Sequence, residues 1–210
     1  METVEFMTLE SNTYYNLPTF IERLRKLRGD NEDSNINFTI ILLSTTIIES
    51  VLHDLLNLSI GESFDLEAIS GRITNDISIK INKASWKEFN ALSKLILDKN
   101  INECVDNESW RSIQILYDYR NHLMHGKSFV LEKRMIGDNI NYEYTGKLKK
   151  VFDFLKEKKV IENEKPGILT SKIADYFWDR TKDFTLKVAE KLQNKENEIV
   201  FSMLSDALKK

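Results

Sequence analysis

The sequence predicts a mainly α-helical protein carrying one small β-hairpin, and three observations predict it. The 210 residues include only 7 Gly and 2 Pro, too little punctuation for the many turns of an all-β fold. The segment Ile36 to Leu58 is apolar around most of its circumference in its first half, as a helix in the middle of a bundle is. The hydrophobic period then changes once, where Phe129 to Met135 and Ile140 to Tyr144 flank Gly137-Asp138-Asn139, a hairpin pattern. A chain that is 41% apolar and 30% charged can bury one sizeable core. A single domain over residues 1–210 is expected, with its core at about 17–126 and the hairpin and C-terminal helices of 129–208 packed on it.

Taken in order, the first helix is expected from Leu17 to Leu27. Pro18 suits a first turn, and Thr19-Phe20-Ile21-Glu22 has capping-box spacing. Gly29 to Ser34 reads as a polar loop and Asn35 to Asn57 as the central helix. Ser59 to Asn82 reads as a short helix near Phe64 to Ile69 followed by irregular or extended chain. Ser85-Trp86-Lys87-Glu88 opens a helix to about Leu97 through a second capping box. The next helix begins near Asn107 and stops at Gly126. After the hairpin, helices are expected from Gly146 to Val160, Thr170 to Asn194 and Lys195 to Leu208, with a loop at Lys165-Pro166-Gly167.

Charge and cysteine usage exclude some functions. A net charge of −3 and a pI near 5.8 provide no general attraction for nucleic acid, so any such contact must be local. Cys104 is the sole cysteine; it permits no intrachain disulfide and no cysteine-based zinc site, and it fits a reducing compartment. The first residues, Met1 to Met7, have no basic region and no apolar core. Ser44, Thr45, Thr46, Glu49, His53 and Asp54 make the long apolar segment too polar for a membrane span. A cytoplasmic protein without membrane contact is expected.

The helix ending in Tyr117-Asp118-Tyr119-Arg120-Asn121-His122-Leu123-Met124-His125-Gly126 carries the chemistry. At about 100° per residue, Ile113, Leu116, Leu123 and Met124 all fall within roughly 60° of Arg120. A guanidinium keeps its charge, so at the centre of an apolar stripe it must find a partner, a pocket or another subunit. Asn121 and His125 are one turn apart on a flank. His122 and Asp118 are placed on the solvent side. Arg120 and His125 are about 140° apart on an unbroken helix, so the last turn must relax, the arginine reach around, or a second subunit complete the site.

These residue types suit RNA cleavage. An ordinary histidine titrates near pH 6.5 and can take the proton of a 2′-OH. A guanidinium fork matches the phosphate oxygens on which charge grows. No metal or cofactor is needed, because the attacking oxygen belongs to the substrate.

Arg120-Asn121-His122-Leu123-Met124-His125 resembles the Arg-x(4–6)-His motif of the HEPN superfamily, in the form with Asn after the Arg. The resemblance implies a HEPN-like helical bundle with the motif at the end of a long helix, here over Asn35 to Gly126. It implies a homodimer with a composite RNA-cleaving cleft, in which His125, Arg120 and Asn121 are catalytic. It also implies a toxin or antiviral abortive-infection effector, with RNA as substrate and an antitoxin or defence-system protein as partner. Glu49, on an apolar side of the central helix, matches the acidic residue that family members often carry near the motif, and it is expected to pair with Arg120. The chain departs from one toxin branch, which has a tyrosine two residues after the motif histidine where this chain has Gly126-Lys127.

Blander roles accompany each residue. Arg120 can be a structural arginine, and His125 a helix-capping cation. His53 reads as structural, although it lies one turn from Glu49. Tyr117 and Lys127 are possible RNA contacts, but Tyr117, like Trp86, Trp110 and Trp178, is more typical of a core. The lysine runs Lys147 to Lys150 and Lys156 to Lys159 read as solvated faces that can reach an RNA backbone. The alternative function is a catalytically inactive HEPN-like module that binds a nucleotide, RNA or a protein partner. A docking edge at the hairpin, serving a larger defence complex, is a third reading.

Overall fold

The computed structural model describes residues 12–63, 71–125, 130–136, 139–162, 167–192 and 198–208. Among the described residues eight helices and one hairpin run in the order α1 (Asn12–Arg28), α2 (Ser34–Ser63), α3 (Gly71–Asn82), α4 (Trp86–Leu97), a 3-10 turn (Ile101–Glu103), α5 (Asn107–Met124), β1 (Leu131–Ile136), β2 (Asn139–Tyr144), α6 (Lys147–Glu157), α7 (Ser171–Lys191) and α8 (Glu198–Leu208). The mainly helical class with a small hairpin is as expected. The expected short helix at Phe64 to Ile69, the stop at Gly126, and residues Phe129, Gly137, Asp138, Lys165 and Pro166 lie outside the described residues.

α2 is the central helix. It packs most extensively on α7 and also touches α1, α3, α4 and α5. Ile40, Ile41, Ile47, Ile48, Leu52 and Leu55 are buried, which is why so little of its circumference is polar. By length and composition it could cross a membrane, and 56% of its most apolar window is buried. Trp178, Phe177 and Phe184 of α7, Phe89 of α4, Tyr119 of α5 and Phe154 of α6 are the bulkiest other members of the same core.

Three elements differ from expectation. α2 runs to Ser63, past the expected end at Asn57. α1 begins earlier than Leu17, so Pro18 stands inside the helix and not in its first turn. The segment expected to be irregular or extended before Asn82 is the helix α3. Its Ile77, Ile79 and Ile81 alternate like a strand, but Ile81 is buried, Ile77 half-buried and Ile79 41% exposed. The i, i+4 pair faces the core and the middle isoleucine faces out.

The capping box at α4 forms as expected: Glu88 accepts from the Ser85 backbone N–H at 2.7 Å. Asp106 caps α5 by accepting from the Ser109 N–H at 2.7 Å, and Thr170 caps α7. The hairpin pairs Leu131 with Tyr144 and Ile136 with Asn139 in antiparallel register. It is anchored to α6 by Tyr144 stacked on Phe152 at 4.1 Å and by the Glu143–Lys149 ion pair.

A buried polar network joins α1, α2 and α7. Arg28 donates to Asn37 Oδ1 and Asp175 Oδ2, each at 2.7 Å. Arg25 Nε donates to the other oxygen of Asp175 at 2.8 Å. Glu32 takes the N–H and hydroxyl of Ser171 at the start of α7, both at 2.7 Å. Arg28→Ala strips Asn37 and Asp175 of their shared donor, and a cost of about 2–3 kcal/mol is expected in urea unfolding. An unchanged unfolding midpoint would show that the network contributes nothing net.

Candidate functional site

A cleft of about 400 Å³ opens where α5 meets α2, the start of α4, and α6. α5 provides its floor: Gln114, Tyr117, Asp118 and Asn121 recur at i, i+3, i+4 and i+7, and Arg120 lies beside them. Glu49 enters from α2, Trp86 and Lys87 from the first turn of α4, and Lys150 from α6. Trp86 lies flat against Tyr117, with ring centroids 4.5 Å apart and planes 9° from parallel. This contact fixes the α4 wall to the floor.

Arg120 is half-buried and donates from Nη1 to Asn121 Oδ1 at 2.9 Å. Its Nε has no hydrogen-bond partner among the described residues and almost no exposed surface. Glu49 shares the cleft and feels the charge of Arg120. The expected direct ion pair between them does not form, since Arg120 has no salt-bridge partner within 4.0 Å among the described residues. The two act across the cleft as an electrostatic pair. Burial pushes the Glu49 carboxyl up, and Arg120 and the Tyr117 hydroxyl only partly offset it.

Tyr117 is 4% exposed. Its hydroxyl donates to the Thr45 carbonyl at 3.3 Å and also lies within reach of the Glu49 carboxylate. Burial first, and then the Glu49 charge, hold this phenol well above its ordinary pKa, with Arg120 opposing. One face of the ring is taken by Trp86, and its burial fits the core role read for Tyr117 beside a possible RNA contact.

The raised Glu49 carboxyl has a consequence for stability. A carboxyl whose pKa is higher folded than unfolded binds protons more tightly in the folded state. It therefore costs stability as pH rises from the ordinary value of 4.5 through the raised one. Glu49→Gln is expected to raise the urea midpoint relative to wild type at neutral pH, and the gain should vanish well below pH 4.5. A gain of equal size at both pH values would mean that the charge is not its cause.

The remaining site residues separate. His125 is exposed at the C-cap of α5, where its N–H bonds to the carbonyls of Asn121 and Leu123; it does not line the cleft. Lys127 lies outside the described residues. Asp118 is exposed as expected and pairs with Lys150 at 2.9 Å. His122 differs from expectation: it is half-buried, and both ring nitrogens lack exposed surface. The stripe centred on Arg120 predicts one buried side, but Ser112, Ile115 and Tyr119 form a second on α5, and His122 falls about 20° from Ile115. His53 does not line the cleft; its ring lies 5.0 Å from that of Phe89, and burial lowers its pKa.

Sequence reasoning missed Trp86, Lys87, Gln114 and Lys150 as cleft residues. Lys150 reads in the sequence as part of a solvated face that can reach an RNA backbone, and Lys87 only as part of a capping box, because the contact that unites them with Arg120 is tertiary. Among the described residues no three His, Cys, Asp or Glu side chains converge as a metal site would require. No family model matches the chain, and no curated protein or solved structure is significantly similar to it.

Proposed function

We propose that the protein is a HEPN-type endoribonuclease that cleaves RNA by attack of the substrate's own 2′-OH, acting as a toxin or antiviral defence effector. The observation that carries this reading is Arg120. It is a cation in the floor of a cleft, steadied by Asn121, with no ion pair among the described residues. A phosphate seated there meets a preorganised charge in a partly desolvated setting.

In this reading His125 removes the 2′-OH proton. O2′ then bonds to phosphorus, the P–O5′ bond breaks, and the 5′ oxygen takes a proton from solvent. The products are a 2′,3′-cyclic phosphate and a 5′-OH. Because the nucleophile comes from the substrate, the step needs no metal-bound water. His125 stands on the exposed end of α5, so the reading includes a homodimer in which a second copy supplies the imidazole. An antitoxin or defence-system protein is the expected regulator, and the cytoplasm the expected location.

The test is incubation of purified protein with total RNA in EDTA, followed by end-group analysis. Fragments with 2′,3′-cyclic phosphate ends are the expected result; intact RNA would count against the reading. One observation favours a second reading, a catalytically inactive HEPN-like module that binds a nucleotide, RNA or a partner. Within one chain, the imidazole of His125 lies outside the cleft that holds Arg120. That reading predicts intact RNA together with retained binding, and wild-type expression that does not arrest growth.

A further inference from the structure

Two lysines that the proposed chemistry does not use line the same cleft. Lys87 enters from the first turn of α4 and Lys150 from α6, with the α5 floor carrying Arg120 between these elements. Lys87 is exposed and makes no ion pair among the described residues. Among the described residues Lys150 pairs only with Asp118, and both side chains are at least half exposed. Such a pair is worth little in water and exchanges readily for another anion. Other lysines of the α6 region are engaged elsewhere: Lys149 with Glu143 and Asp153, and Lys158 with Glu108.

We propose that Lys87 and Lys150 hold the backbone phosphates of a single RNA strand flanking the phosphate addressed by Arg120. The inference rests on the reading of Arg120 as a phosphate-binding group. Three cations from three helices around one concavity make a track longer than one nucleotide needs. The net charge of −3 supplies no general attraction, so binding depends on these local contacts. A duplex presents its phosphates on a convex cylinder, whereas a flexible strand can enter a cleft of about 400 Å³. Contacts made by ammonium groups alone read the backbone and not the bases. Asp118 competes for Lys150 and tunes the affinity downward.

The experiment measures binding of a fluorescent 2′-O-methyl RNA dodecamer, which has no free 2′-OH and cannot be cleaved, by anisotropy across a salt series. Lys87→Ala and Lys150→Ala are each expected to raise Kd about five-fold and to reduce the salt slope by about one. Asp118→Asn is expected to lower Kd about two- to five-fold by releasing Lys150, a direction that a purely structural ion pair would not give. Lys26→Ala, an exposed α1 cation that does not line the cleft, serves as control. The inference is overturned if the wild type does not bind the strand, if both lysine variants match the control, or if the duplex or a mononucleotide binds as tightly as the strand. Because the probe cannot be cleaved, these outcomes are separate from the ribonuclease reading. Intact total RNA alongside lysine-dependent strand binding would remove the catalytic step and leave the track.

Discussion

Arg120→Ala is expected to lower RNA cleavage by about 10²–10³-fold while leaving the unfolding midpoint close to that of wild type. The size of the effect follows from the cleft. The guanidinium is half-buried, so its field on a bound phosphate is screened less than a surface charge would be. Its hydrogen bond to the Asn121 side chain at 2.9 Å fixes its direction. The expected mildness toward folding has a separate basis. Arg120 carries no ion pair among the described residues, and alanine is a better helix former near the end of α5. Arg120→Lys keeps the charge but loses the planar fork, so an intermediate rate is expected. Single-turnover cleavage of a defined oligonucleotide, with circular dichroism on the same samples, decides the matter. Wild-type rates in a folded Arg120→Ala protein would remove this cleft from the chemistry.

The largest expected effect on stability belongs to Trp178→Ala, at about 4 kcal/mol. That is a large share of the roughly 5–15 kcal/mol that holds a typical domain folded, so the variant should be poorly soluble or unfolded at 37 °C. Trp178 is fully buried in α7, the helix against which α2 packs most extensively. Its Nε1 donates to Glu22 at 2.6 Å, and Lys182 lies over its ring at 5.4 Å. Burial pushes the Glu22 carboxyl up, but the indole, Arg25 and Lys182 together hold it below the ordinary value. Truncation thus opens a cavity and also strips Glu22 of a partner. Trp178→Phe separates the two, because it refills most of the space without the donor; a loss of about 1–2 kcal/mol is expected. Urea unfolding of both variants is the measurement, and equal losses would place the whole effect in the hydrogen bond.

Much of the fold was legible in the residues. The circumferentially apolar α2, the Ser85–Glu88 capping box and the presence of the hairpin all follow from local chemistry that acts within one or two turns, although Asn139, read as part of the turn, pairs with Ile136 as the first residue of β2. α3 was not legible, since alternating isoleucines satisfy a strand period as well as a helix's i, i+4 pair. Which pattern wins depends on the α2 surface that receives Ile77 and Ile81. The candidate site divides in the same way. Arg120 stood out because a charge in an apolar stripe demands an explanation within one helix. Glu49 was placed in its neighbourhood, but not the gap that keeps the pair from touching. His122 was misplaced because α5 is packed on two sides, and a single helix does not reveal how many neighbours it has. Lys87 and Lys150 became cleft residues only when α4 and α6 met α5.

The position of α2 in the chain has a cost during synthesis. α2 is complete by Ser63, but α7, which covers more of it than any other helix, starts only at Ser171. At about 5–20 residues per second, the ribosome takes on the order of ten seconds to cross that interval. Throughout it, a 30-residue apolar helix waits on the nascent chain without its principal cover. The yield of native protein should therefore be governed by chaperone supply and translation speed more than by the final free energy of folding.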